Sequence, residues 1–307
     1  MSIKHIIITG SLAYDDFLSF DGIFSKSLLP EHLHKLSICF VTPKKERHFG
    51  GCGGNIAYNL HSLGGDFILL GVGGQDFDMY KKWLQDHKIS TIGIKVDQKS
   101  YTATAVITTD KKGNQITNFF PGPTLPYFSV KKKKDLLVSI SPDYHPRMLT
   151  TIKECQKQKI PYLFDPGQNT PLFKKADLLK SALKSHIFVM NEYEKELFEK
   201  ITGKKILELV DSIPVIIVTL ASKGSLIWHN GKKFKVKSLK PRKIYNPTGC
   251  GDAYRSGLLY GLQKGFSLKE SAEIATVSAT YNLERPGNQE QNFTLKQFKE
   301  RVKKDFK

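Results

Sequence analysis

Short apolar runs alternate with amphipathic helical stretches along most of this 307-residue chain, and that alternation limits the fold more than any other feature. Runs at 5–10, 67–72, 136–140, 162–165, 187–190 and 215–219 have the length and composition of buried strands. Stretches at 55–63, 78–87, 148–157, 192–201, 252–264 and 268–285 carry apolar residues at helical spacing. Strands separated by helices of this length predict βαβ units, hence an α/β fold with a mainly parallel central sheet flanked by helices. Two hairpins interrupt the order. Residues 102–109 and 115–120 flank the polar turn Asp110-Lys111-Lys112-Gly113-Asn114, and 225–229 and 233–237 flank Asn230-Gly231. Residues 38–41 and 47–49 suit further short strands. The segments near 36–50 and 102–120 do not belong in a doubly wound core and predict a small sheet projecting from it as a lid, with lid segments at about 12–50 and 102–120. With no repeat and no low-complexity linker, residues 1–307 read as one domain.

The apolar content of 40% and aromatic content of 11% suit an ordinary globule. No apolar run approaches the roughly 18 residues of a membrane span. The start, Met1 to Gly10, reads as a buried first strand rather than a signal peptide. Four cysteines, Cys39, Cys52, Cys155 and Cys250, form no CxxC pair and no metal-ligand spacing, and a reducing cytoplasm is the expected compartment. Net charge is +18. The lysines are dispersed, with one block at 131–134 and a basic tail, and neither alternates with aromatic residues. That distribution argues against a nucleic-acid or membrane partner and leaves anionic small substrates.

Two glycine-rich segments carry the chemistry. In Asn246-Pro247-Thr248-Gly249-Cys250-Gly251-Asp252-Ala253-Tyr254, two glycines stand at the mouth of an expected helix and Asp252 at its start. A helix N-terminus offers unpaired N–H groups and positive potential to a phosphate. An aspartate there makes sense as a base that takes a proton from an attacking hydroxyl. The second segment, Phe49-Gly50-Gly51-Cys52-Gly53-Gly54-Asn55-Ile56-Ala57, lets the backbone approach a hydroxylated ligand, and Asn55 both donates and accepts. Taken singly, each also suits a capped helix after a glycine turn. Ile56 stands where a dinucleotide fingerprint needs glycine, and no GxxxxGK[ST] occurs.

Together these segments make the chain resemble the ribokinase-like (pfkB-type) family of sugar and nucleoside kinases. The Gly-Gly-x-Gly-x-Asn stretch stands as Gly50 to Asn55, the Asp-Thr-x-Gly-Ala-Gly-Asp stretch as Asn246 to Asp252, and Asn-x-x-Glu as Asn191 to Glu194. Gly10-Ser11-Leu12-Ala13-Tyr14-Asp15, the stretch 28–35, Phe119-Phe120-Pro121-Gly122 and Asp165-Pro166-Gly167-Gln168 look like its bacterial adenosine kinase branch.

The resemblance implies an ATP- and Mg²⁺-dependent phosphotransferase that makes AMP from adenosine, with a ribokinase-like sugar kinase acting on ribose, fructose or another nucleoside as the alternative. It implies Asp252 as general base, with the N–H groups of Gly249, Cys250 and Gly251 as anion hole. Asp15, Gly51 and Asn55 would hold the ribose, Phe119 and Phe40 the base, and Ser11, Gln168 and Asn169 further polar contacts. Asn191, Thr219, Ser222 and Gly224 would bind ATP, and Asn191 and Glu194 would position Mg²⁺ through water. It also implies a homodimer joined through the lids. Three departures stand out: Ala105 where adenosine kinases carry phenylalanine, Asn246 for aspartate, and Cys250 for alanine or valine. The helix N-terminus should raise the reactivity of the Cys250 thiol if solvent reaches it, with Cys39 and Cys52 also near the substrates; the alternative is that these are small, buried, inert side chains.

Overall fold

The computed structural model describes residues 3–28, 35, 37–245, 247–290 and 293–306. Most of the 28–35 stretch and Asn246 therefore lie outside the described residues. The chain opens with β1 (His5–Thr9), β2 (Ala13–Ser19), the short α1 (Phe24–Ser27) and β3 (Lys44–Gly50). Next come α2 (Cys52–Ser62), β4 (Ile68–Gly74), α3 (Asp78–Asp86), β5 (Ile94–Asp97), β6 (Ala103–Thr109) and β7 (Gln115–Phe120). The middle holds β8 (Leu136–Ile140), α4 (His145–Gln158), β9 (Tyr162–Phe164), α5 (Lys175–Leu183), β10 (Ile187–Asn191) and α6 (Glu192–Thr202). The remainder is β11 (Val215–Thr219), β12 (Ser225–His229), β13 (Lys232–Val236), α7 (Cys250–Gln263), α8 (Leu268–Leu283) and α9 (Leu295–Phe306).

Nine strands form the main sheet in the order β13-β12-β11-β10-β9-β8-β1-β4-β5. All neighbours pair in parallel except the late hairpin β12–β13, which adds two antiparallel strands at one edge. Strand side chains alternate between faces, and β1 shows the consequence. Ile6 and Ile8 pack with Leu60 of α2, Leu84 of α3, Leu258 of α7 and Phe298 of α9. Ile7 packs on the opposite face with Ile152 of α4, Leu178 of α5 and Phe198 of α6. Both faces are thus covered, which is why these strands read as continuous apolar runs.

Four strands form a separate small sheet in the order β3-β2-β6-β7. Its members come from the segments expected to project from the core, but their assignment differs in detail. Residues 38–41 are not a strand; the strand is Lys44–Gly50. The strand Ala13–Ser19 escaped notice because two adjacent acids interrupt its apolar pattern. The pleat separates them: Asp16 turns to Arg47 (2.6 and 2.7 Å) and Lys45 (3.0 Å), whereas Asp15 faces the opposite way. Strand β5 and helices α5 and α9 were also unforeseen; α9 is mostly charged and buries Phe298 alone.

Candidate active site

The order of the main sheet reverses at β1. From it the chain runs outward to β4 and β5, then returns to place β8 on its other side. Such a switch point opens a crevice beyond the carboxyl ends of the strands. A cavity of about 380 Å³ lies there, lined by Ser11 after β1, Pro142 after β8, Asp165 after β9, Asn191 ending β10 and Thr219 ending β11. Ala13, Asp15, Ala105 and Phe119 of the small sheet close another side.

Two glycine turns aim helices at this cavity. Gly51 precedes α2 with φ 81°, and a Cβ there would stand 2.4 Å from the Ser11 carbonyl oxygen. Gly249 precedes α7 with φ 75°, and its Cβ would stand 2.6 Å from Oδ1 of Asn288. Both positions therefore demand glycine. Each helix starts earlier than its apolar periodicity suggests, at Cys52 and at Cys250, because Gly53, Gly54 and Gly251 sit inside the first turns. The N-terminus of α7 thus points at the cavity through Thr248, Gly249 and Gly251.

Asp252 is 5% exposed and fully engaged. Nδ2 of Asn55 donates to its Oδ2 at 2.8 Å, and Arg255, one helical turn on, binds its Oδ1 at 2.5 Å. Arg255 also contacts the carboxylate of Asp165. Burial pushes Asp165 up, and the guanidinium opposes that push; Arg255, held between two carboxylates, stays charged. The Asn55 amide is oriented from behind: Gln289 donates to its Oδ1 at 3.1 Å and to the Tyr80 hydroxyl at 2.7 Å. Across the cavity, burial lifts the Asp15 carboxyl to about 6; His48 pulls it down, while Asp252 and Asp16 add to the lift.

The cavity brings together Ser11, Asp15, Gly51, Asn55, Phe119, Gln168, Asn191, Glu194, Thr219, Gly249, Gly251 and Asp252. Others stand outside its lining. Phe40 packs on Phe20 (4.8 Å) and Phe24 (5.1 Å), beyond the far end of β2 from Ala13. Six residues of strand separate the two ends, about 20 Å at 3.3 Å per residue. Asn169 turns to the Asp143 carbonyl and Met148. The Ser222 carbonyl accepts from Ser238, and Gly224 shapes the turn into β12 with φ 92°. Asn191 and Glu194 cap α6 reciprocally, each bond 2.8 Å, while both still border the cavity.

Packing decides between the two readings of the cysteines. Burial pushes the Cys250 thiol up to about 11 despite its place at a helix N-terminus, with Asn282 beside it at 3.6 Å. Cys52 lines the cavity, and burial raises its thiol as well. Cys39 is exposed beside Phe40 and outside the cavity lining. Desolvation of a thiolate outweighs the helix dipole here.

Arg255 and Asp165 received no role from the sequence. One signal was available: an arginine three residues after Asp252, on a helix otherwise made of small and apolar residues and buried all round from 252 to 261, has a carboxylate within reach. Asp165 lies in the next layer and only folding places it there.

A family profile for pfkB family carbohydrate kinases matches residues 41–294. The nucleoside kinase of Methanocaldococcus jannaschii is 30% identical over 288 residues, spanning 92% of this chain and 94% of its own. The Burkholderia thailandensis nucleoside kinase in complex with inosine superposes with a TM-score of 0.85, 32% identity and 98% coverage of both chains. Its ADP-inosine complex gives 0.83 at 32% identity, covering 98% of this chain and 96% of the other. The chain therefore belongs to the pfkB family of carbohydrate kinases, and is a ribokinase-like phosphotransferase that acts on a hydroxyl acceptor.

Proposed function

We propose that this protein transfers the γ-phosphoryl group of ATP to the 5′-hydroxyl of a purine nucleoside, taking adenosine to AMP. The observation that carries this reading is the buried Asp252, fixed by Asn55 and Arg255 at the mouth of α7 and facing Asp15 across one cavity. Asp15 and Asn55 offer an acceptor and a donor to a vicinal diol. The aromatic face of Phe119 suits a planar base, and a cavity of about 380 Å³ has room for more than a pentose. The nucleoside kinases among the relatives, one of them bound to inosine, favour a nucleoside over ribose or fructose.

In this reading Asp252 takes the proton of the 5′-hydroxyl as that oxygen attacks the γ-phosphorus in line. The new P–O bond forms as the bond to the β,γ-bridging oxygen breaks, and ADP leaves. The N–H groups of Gly249 and Gly251, which line the cavity, receive the charge that develops on the transferred group, whereas Cys250 stands outside the lining and its N–H donates to the Pro247 carbonyl at 3.3 Å. Thr219, Ser222 and Gly224 border the path of the nucleotide. Asn191 and Glu194, which border the cavity while capping α6, would hold Mg²⁺, and that ion would supply neutralisation of phosphate charge. The small sheet acts as a lid that excludes water. Its edge strands β3 and β7 pair with those of a second copy, which covers exposed edges in a homodimer.

A panel of nucleosides and sugars with ATP and Mg²⁺ tests the reading. Adenosine turnover well above that of ribose and fructose is expected, and a 2′-deoxynucleoside should lose roughly 1–3 kcal/mol of kcat/KM because Asp15 and Asn55 lose a partner. Sugar turnover above every nucleoside, inosine included, overturns it.

A further inference from the structure

A second cavity, of about 730 Å³, lies behind the phosphate turn, between residues 240–245, the end of α8 and helix α9. It shares no lining residue with the first. At its base stands Arg285, 3% exposed, whose Nε, Nη1 and Nη2 find no hydrogen-bond partner among the described residues. The guanidinium carbon lies 5.2 Å from the ring centre of Phe293 and 5.7 Å from that of Tyr281, and both rings line the cavity. Aromatic faces offset part of the cost of burying this charge, but five N–H donors remain to be satisfied. Burial pushes the guanidinium down to about 10, against an opposing pull from Tyr58, Glu284, Tyr281 and Glu290, and among the described residues no carboxylate bonds it as a counter-charge.

The nearby acids do not supply one. Glu284 is held by Arg301 through two bonds of 2.8 Å, and Asp305 lies 3.7 Å from the same arginine. Glu290 sits 3.0 Å from His48. Glu300 is exposed at the rim, where it faces the exposed Lys240, Arg242, Lys243 and Lys304. Cations therefore outnumber acids in this cavity, and the one charge at its base is unpartnered.

We propose that this cavity is a binding site for a phosphate-bearing anion, with Arg285 as its buried anchor and the lysines as its rim. A buried arginine with free donors in fork geometry is complementary to a phosphate, and the rim steers an anion toward it. The site is coupled to the phosphate turn. The Tyr245 N–H donates to the Leu283 carbonyl at 2.9 Å, and the Asn282 amide donates to the Thr248 carbonyl at 2.8 Å. An occupant that draws residues 240–245 onto α8 therefore stiffens the segment leading to Gly249.

Hydrogen exchange read by mass spectrometry on the full chain, with inorganic phosphate and with AMP, tests this without relying on turnover. Slower exchange is expected across 240–245 and 281–301. Protection by phosphate alone upholds the site for a free oxyanion, and tighter protection by AMP upholds it for a phosphorylated metabolite. Arg285→Met should weaken that protection about tenfold or more, the scale of a lost charge-assisted bond. Should that variant fail to fold, Lys240→Ala with Lys243→Ala on the exposed rim should weaken it several-fold. No protection of these segments by either anion, protection confined to 219–224 and 247–252, or unchanged protection in the variants overturns the proposal.

Discussion

Arg255 and Arg285 are both more than nine-tenths buried, yet their surroundings are opposite. Arg255 lies between Asp252 and Asp165, so its charge is matched twice over. Arg285 lies against two aromatic rings, and among the described residues no carboxylate bonds it. A buried ion held by partners orients those partners; a buried ion without partners is held at a cost that a ligand can offset. The first arginine belongs to the machinery of the reaction site and the second marks a place where something else binds.

The strongest way to break this contrast is to remove each charge in turn. Arg255→Met leaves two carboxylates buried without a counter-ion, and a loss of about 3–5 kcal/mol in unfolding free energy is expected. Where enough folded enzyme remains, kcat should fall while the KM for nucleoside holds, because Asp252 loses the contact that fixes its carboxylate. A purely structural arginine would lower stability and leave kcat per folded molecule in place. Asp252→Asn keeps Arg255 paired with Asp165, so the fold should survive while turnover falls about 100-fold or more, which steady-state kinetics beside a thermal melt reads directly. Near-normal turnover removes Asp252 from the chemistry. Arg285→Met, in contrast, should leave the melting temperature unchanged or raise it in anion-free buffer, since it removes an unpartnered buried charge. A drop as large as that of Arg255→Met would erase the distinction.

A smaller effect sharpens the acid side of the comparison. Asp15 has a raised folded pKa of about 6 against an ordinary 3.8, with burial as the main cause. The folded state therefore binds this proton more tightly than the unfolded state, and stability falls as pH rises from about 4 to about 6. At pH 7 the ionised carboxylate is a net cost, so Asp15→Asn should raise the melting temperature by roughly 2 °C or more at pH 7 and little at pH 4. Nucleoside affinity of the unaltered protein should fall below about pH 6, as the acceptor for the sugar hydroxyl becomes protonated. Equal melting shifts at both pH values would contradict the buried, uncompensated setting of Asp15.

The central strands of the main sheet were legible because they had to be apolar on both faces, a pattern that local composition records directly, whereas the edge strand β5 lacks it. The glycine turn at the start of α7 was legible because Gly249 occupies a backbone conformation that other residues adopt only with strain. The small sheet was harder to read. Strand β2 carries Asp15 and Asp16 side by side, and only its pairing with β3 explains why one acid meets Arg47 and Lys45 while the other faces the cavity. Phe40 shows the limit from another side, since a cluster with Phe20 and Phe24 satisfies an aromatic ring as well as a ligand would. The thiol of Cys250 was left open by the sequence for a related reason. Its neighbours along the chain announce a helix N-terminus, but how much water reaches it is a property of the packed structure.

The sequence by itself determined the α/β class, the two glycine turns and Asp252 at the head of its helix, because periodicity and backbone conformation are local quantities. Tertiary structure decided which charges meet. Asp165 and Arg255 are 90 positions apart, as are no signals a pattern can link, and Asn55 reaches Asp252 across 197. Electrostatic interaction depends on distance through space and on the water excluded around it. Only the fold sets either quantity, and so only the fold separates an arginine paired with two carboxylates from one that, among the described residues, is paired with none.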